Sequence, residues 1–171
     1  MKTESKQYKF KQDVNDISLS SRDEVKVINI AMTQQTNRKI DIISRYFDAA
    51  IYDNTDFIEA VKKLSISSKF TKIRILIKDS DPMVKSGHRI IELIHQLTSS
   101  IEVRQIAEEY KASNEAFSLY DEKGLIYLKH ADRYEGVANF DRPRLVKELT
   151  AYFNEVWERS VPDQNLRRLH L

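Results

Sequence analysis

The chain has 171 residues, a formal charge of +2, 41% apolar and 32% charged side chains, and no cysteine. That length fits one domain with a real core, and the missing cysteines exclude disulfides, thiolate nucleophiles and cysteine-bound zinc together. A nearly neutral chain offers no global field for nucleic acid or anionic lipid, and no apolar run nears the roughly 20 residues that span a bilayer.

Three glycines and three prolines leave little room for glycine-rich phosphate loops. GxGxxG, GxxxxGKS/T and HExxH are all absent from the sequence. The polar start from Met1 to Lys11 is not a signal peptide. These features predict a cytoplasmic protein with no cofactor and no metal.

Residues 1–20 are expected to form an N-terminal arm, with Tyr8 to Lys11 placed to add an edge strand. Ser20 or Ser21 is positioned to cap a helix from Arg22 to about Gln35. Asp23 and Glu24 suit its first turn, and Val25, Ile28 and Met32 make its apolar stripe. Arg38 to Arg45 predicts the first core strand, with Ile40 and Ile42 on one face. Tyr46 to Asn54 is a connection whose aromatic residues pack inward. A helix follows from about Thr55 to Leu64, presenting Phe57 or Ile58, Val61 and Leu64.

Lys72 to Asp79 gives the strongest strand signal, because Ile73, Ile75, Leu76 and Ile77 make a short, β-branched, nearly continuous apolar run. Asp79-Ser80-Asp81-Pro82 is expected to turn the chain. Ser86-Gly87 then opens a helix from His88 to Thr98 with Ile90, Ile91, Ile94 and Leu97 as its buried stripe. Ile101 to Ile106 is a further strand. Glu115 to Asp121 and Leu125 to Lys129 flank Glu122-Lys123-Gly124, a hairpin with the glycine expected at positive φ. His130 to Phe140 is a predicted loop. Asp141 is placed to cap a helix with Pro143 in its first turn and Leu145, Leu149, Tyr152, Phe153, Val156 and Trp157 as its stripe. Val161-Pro162 stops that helix, closing a domain over 21–162. The tail, 163–171, carries Leu166, Leu169 and Leu171 to dock back on it.

This order predicts an α/β domain: a mixed, mainly parallel sheet with helices on both faces, and any ligand beyond the carboxyl ends of the strands.

The strand ending at Ser44, the Tyr46-Phe47 pair, the helix through Phe57 and Val61, the strand to Asp79, and Phe153-Asn-Glu-Val-Trp157 before Glu158-Arg159-Ser160 together resemble one half of a phospholipase D-type domain. The chain also resembles a group of bacterial proteins with a degenerate domain of this kind, some linked to GNAT-type acetyltransferases. The resemblance implies an HxKxxxxD motif, in which the histidine attacks phosphorus, the lysine neutralises phosphoryl oxygens and the aspartate orients the pair. Aligned on Asp121, the histidine position falls on Asn114 and the lysine position on Ala116. Asparagine cannot form a phosphohistidine, and alanine carries no charge. Gly136-Val137-Ala138-Asn139 echoes the superfamily's Gly-Ser-x-Asn turn, but too far from Asp121.

Active members pair two halves across one site, which implies a homodimer. The expected function is therefore a non-catalytic phospholipase D-like binding or assembly module. The alternatives are a phosphodiesterase or nuclease-like enzyme using His88 or His130, and an adapter beside an acetyltransferase. A phosphate-containing ligand would meet Arg104, Asn114, Asp121, Lys129 and His130, or the helix start at His88 and Arg89. The plainer readings are a solvated loop after Lys129 and a salt bridge from Arg89 to Asp79 or Asp81. His88 and His95, seven apart on one helix, lack a third metal ligand.

Overall fold

The computed structural model describes residues 9–10 and 14–167, with Arg167 by its backbone only. The edge strand expected at Tyr8 to Lys11 and the docking leucines Leu169 and Leu171 fall wholly or partly outside these residues. In chain order the first elements are β1 (Ile17–Leu19), α1 (Arg22–Gln35), β2 (Lys39–Ser44), α2 (Ala49–Tyr52), α3 (Thr55–Ser67) and β3 (Lys72–Ile77). Then come α4 (Asp81–Ser86), α5 (Ile90–Gln96), β4 (Ile101–Gln105), β5 (Ala116–Tyr120) and β6 (Gly124–His130). The chain continues through β7 (Glu135–Asn139), α6 (Pro143–Arg159), β8 (Val161–Pro162) and α7 (Gln164–Arg167).

Among the described residues eight strands form one sheet in the order β1-β7-β6-β5-β2-β3-β4-β8. Only β2–β3 and β3–β4 run parallel, while the other five pairings are antiparallel, so the sheet is mixed but not mainly parallel as the sequence predicts. Parallel neighbours need a crossover, and α3 and the α4–α5 pair supply the only two in the core of the sheet. Short turns join β5 to β6 and β6 to β7, and short turns impose antiparallel pairing.

Ile73, Ile75 and Ile77 enter the layer beneath α1, α3 and α5, alongside Ile40 and Ile42. On the opposite face Leu76 joins Ile43, Phe117, Leu119 and Leu125 under Phe153, Val156 and Trp157 of α6. Helices therefore cover both faces, and β3 is buried on both. Asp41, fully buried on β2, accepts both Nε (2.7 Å) and a terminal nitrogen (2.9 Å) of Arg74 on β3. Its register partner is Arg74 itself, so the strand pairing delivers this ion pair directly. The Arg74 guanidinium lies 4.7 Å from the centre of the Phe153 ring, where a cation meets the negative face of an aromatic.

Several elements differ from expectation. Asp81-Pro82 starts α4 rather than ending in a turn, because proline fits the first helical turn, where its missing N–H is not needed. Gly87 ends that helix at φ 66, and the helix predicted from His88 to Thr98 is α5, two residues shorter at each end. The predicted loop after His130 contains β7, which pairs with both β6 and β1. Gly136 is required there: a Cβ at that position would stand 1.9 Å from the Tyr127 carbonyl oxygen. At the β5–β6 hairpin positive φ falls on Asp121 (φ 52), not on Gly124. The cap position of α6 is Arg142, not Asp141, and Tyr152 is 40% exposed instead of core. Among the described residues no helix is long and apolar enough to cross a membrane.

Candidate functional site

The parallel pair β2–β3 extends one step past its ends. Lys78 N–H donates to the Ser44 carbonyl (3.2 Å) and Asp79 N–H to that of Arg45 (3.0 Å), so Arg45 and Lys78 emerge side by side at the carboxyl edge. The Lys78 ammonium donates to the Ser113 carbonyl, just before β5. Burial, and then the neighbouring Arg45 charge, hold the Lys78 ammonium below its ordinary pKa. Asn114 is exposed beside it, and its carbonyl accepts from Ala131 N–H (3.1 Å), which joins the approach to β5 to the end of β6. Lys129 and His130 are exposed there as well. The edge thus gathers Arg45, Lys78, Asn114, Lys129 and His130.

On the α1 side the edge is closed over. Phe47 and Tyr134 both adopt left-handed backbone, φ 53 and 56, which bulky residues seldom do. Ser44 Oγ accepts from Phe47 N–H (2.9 Å), and the Tyr134 hydroxyl donates to the Asp48 carboxylate. Burial first, then that bond to Asp48, push the Tyr134 hydroxyl up to about 12. Beneath this clasp Phe47 stacks on Tyr52 with centres 4.1 Å apart. On the α6 side, the cavity bounded by Lys78, Ser113, Glu115, Tyr110 and Tyr152 measures about 20 Å3, room for a water molecule and little more.

The remaining residues predicted for the site lie elsewhere. Asp121 sits at the opposite, amino edge of β2, where its carboxylate accepts from the backbone N–H groups of Asn37 (2.8 Å), Arg38 (2.9 Å) and Lys39 (3.0 Å). Arg104 points under α6: it donates to the Trp157 carbonyl (2.9 Å), pairs with Glu102 and covers the Trp157 ring at 4.3 Å. Arg89 pairs with Asp53 (2.8 Å), not with Asp79 or Asp81. Asp79 instead caps the turn by accepting from Asp81 N–H (2.9 Å).

His88 is 2% exposed, packed 5.3 Å from Phe47, and its Nδ1 accepts from Ile90 N–H (3.2 Å). Nε2 has no hydrogen-bond partner among the described residues, although the Phe47 backbone acts on the ring. Burial lowers the His88 pKa. The Gly136 to Asn139 turn expected by analogy is strand β7, and the Asn139 side chain donates to the Val14 carbonyl and the Asp16 carboxylate. No cluster of three or more His, Asp or Glu placed to hold a metal occurs among the described residues.

The sequence reading missed Arg45, Lys78, Asp48 and Tyr134. A signal for the first two exists, since each cation directly follows one of two adjacent parallel strands. Tyr134 leaves no such trace, because only β7 brings it over Asp48.

Residues 21–169 match the family described as "Domain of unknown function (DUF7931)". No curated protein matches the chain. Among solved structures it superposes on TrmBL2, an archaeal chromatin protein described as showing a novel mode of DNA binding. That match has a TM-score of 0.62 and 19% identity, over 89% of this chain and 55% of the other. The chain therefore spans about half the length of TrmBL2. Nuc from Salmonella typhimurium, a phospholipase D family member, matches with a TM-score of 0.60 and 12% identity over 87% of this chain and 97% of its own. NucT from Helicobacter pylori matches with 0.57 and 11% over 87% and 98%. Likeness at these identities shows a phospholipase D-like α/β fold.

Proposed function

The chain belongs to the family described as a domain of unknown function, DUF7931, and we propose that it is a non-catalytic phospholipase D-like module, used for binding or assembly rather than hydrolysis. The observation that carries this reading is that the nucleophile and cation positions hold Asn114 and Ala116, with Asp121 bound up at the far end of the same strand. Asn114 stands at the carboxyl edge, and Ala116 beside it packs its methyl group against the core. Asp121 is at the far end of β5, with its oxygens taken by three backbone amides. A nucleophile, its neutralising cation and its orienting carboxylate have to meet around one phosphorus atom. The cavity beside Lys78, at about 20 Å3 too small for a phosphodiester, and the Tyr134–Asp48 clasp over the α1 side support the same reading.

With bis(p-nitrophenyl) phosphate as substrate, no turnover above buffer is expected. Turnover that disappears in His130→Ala would overturn the proposal in favour of an enzyme with a non-standard histidine. For assembly, Tyr46 and Tyr152, about two-fifths exposed, offer aromatic contact area. A homodimer is expected by light scattering at micromolar protein, and a monomer at every salt concentration would remove the assembly half of the reading. Exposed Lys129 and His130 keep a phosphate-bearing ligand within the chemistry of this edge. A rise in melting temperature with inorganic phosphate would register it, since native-state binding stabilises by mass action.

A further inference from the structure

The opposite edge of the sheet carries a second, unassigned surface. The amino ends of β2 and β3 and the β5–β6 turn enclose an open groove of about 440 Å3, lined by Arg38, Lys39, Lys72, Lys123, Phe70 and Asp121 among others. Register places these groups: Lys39 opposes Lys72, Lys72 N–H donates to the Arg38 carbonyl (2.9 Å), and Asp121 N–H donates to that of Lys39 (2.8 Å). Four cations thus converge on a width of three strands.

Not all the charge is equally available. Lys39 lies 3.3 Å from Asp41, and the Lys72 ammonium donates to the Ser99 carbonyl (2.7 Å). Arg38 and Lys123 make no side-chain ion pair among the described residues. Two carboxylates line the groove against its four cations: Asp121, whose oxygens are turned to three backbone amides, and exposed Glu122. The groove is therefore a local basic site on a molecule that is nearly neutral as a whole.

Phe70 makes this more than a patch of surface lysines. Its side chain is 66% exposed in the tight turn before β3, with the Lys69 ammonium 5.1 Å over one ring face. A solvent-exposed aromatic beside unpaired cations is the pattern that stacks a base while holding the flanking phosphates. A paired duplex keeps its bases stacked on one another and presents no such face, whereas a single strand does. We infer that this groove binds single-stranded nucleic acid, with Phe70 as the stacking platform and Arg38 and Lys123 as the phosphate contacts. The inference stands whether or not the carboxyl edge is catalytic.

Fluorescence anisotropy with a labelled oligothymidine of roughly 16 nucleotides tests it, a length at the upper end of single-module site sizes. Binding is expected at low salt, weakening as salt rises. Phe70→Ala should weaken it about tenfold, the order expected for one lost stacking contact, with the melting temperature unchanged because the ring is exposed. The pair Arg38→Glu/Lys123→Glu should abolish it. No binding at low salt, tighter binding of the matching duplex, or binding indifferent to both variants would overturn the inference. So would Phe70→Ala altering only a monomer–dimer equilibrium, since the surface would then receive a second copy of the chain.

Discussion

Asp121 shows how one side chain can be legible in sequence yet misread in role. Its φ of 52 suits Asp better than most residues, because a short polar side chain tolerates left-handed backbone. Its carboxylate satisfies three amides that β2 leaves without strand partners. Asp121→Ala loses both advantages and is expected to cost about 2 kcal/mol, moderated because these amides are partly open to water. Asp121→Gly should cost less and Asp121→Asn least, since the first relieves the backbone and the second keeps an acceptor. Urea unfolding of the three checks that order; an alanine variant as stable as the parent would refute the role. His88 has a different signature, in pH. Burial lowers its pKa from the ordinary 6.5, so the folded protein holds it neutral. The unfolded chain binds a proton as pH falls below about 6.5 while the folded chain resists. The stability linked to His88 is thus fully present above 6.5 and lost as pH falls towards the lowered value. Asn in its place can still accept from Ile90 N–H but cannot titrate. Unfolding free energies at pH 7 and pH 5 should differ less in His88→Asn than in the parent, and equal differences would sink the argument.

Among the elements, the β2–β3 pair and α6 depend on each other through charge as well as apolar area. Asp41 has no exposed surface and Arg74 little, so each needs the other. Arg74→Leu leaves a buried carboxylate with only Lys39 nearby, at a cost of about 3 kcal/mol, the low end for breaking a buried pair. Asp41→Leu/Arg74→Leu removes both charges and should recover part of that loss, because a matched apolar pair beneath Phe153 and Trp157 strands no charge. A double-mutant cycle by denaturant titration measures the coupling. If the double variant were the less stable, the pair would contribute more than an apolar replacement. This pair also marks what periodicity can and cannot reveal. Alternation along β3 identifies its two faces, and the stripes of α1 and α3 name their buried residues. That Arg74 lies in the core was not visible, because the partner that neutralises it is 33 positions away in the chain.

At the scale of the whole molecule, the sheet's centre was legible and its margins were not. β2 and β3 are dense β-branched runs and β4 alternates Ile101 and Val103 with charged residues, all buried by crossovers, whereas β1, β7 and β8 are short or polar and exist because a neighbour pairs with them. The candidate site shared that limit. Tyr134 lies over Asp48 only through the β6–β7 connection, while Asn114 and His130 meet through the antiparallel β5–β6 pairing, and that same strand carries Asp121 to the other edge. If only side chains had been lost, Asn114→His/Ala116→Lys would restore a nucleophile and a cation, and hydrolysis with them. Geometry argues otherwise. A lysine at 116 would enter a position packed against the core, Asp121 would stay committed to the amides of residues 37–39, and the Tyr134–Asp48 clasp would still close the α1 side. The double variant is expected to fold with reduced stability and to leave bis(p-nitrophenyl) phosphate intact. Measurable turnover would show that the architecture had kept its catalytic geometry and that two residues alone separated this chain from an enzyme.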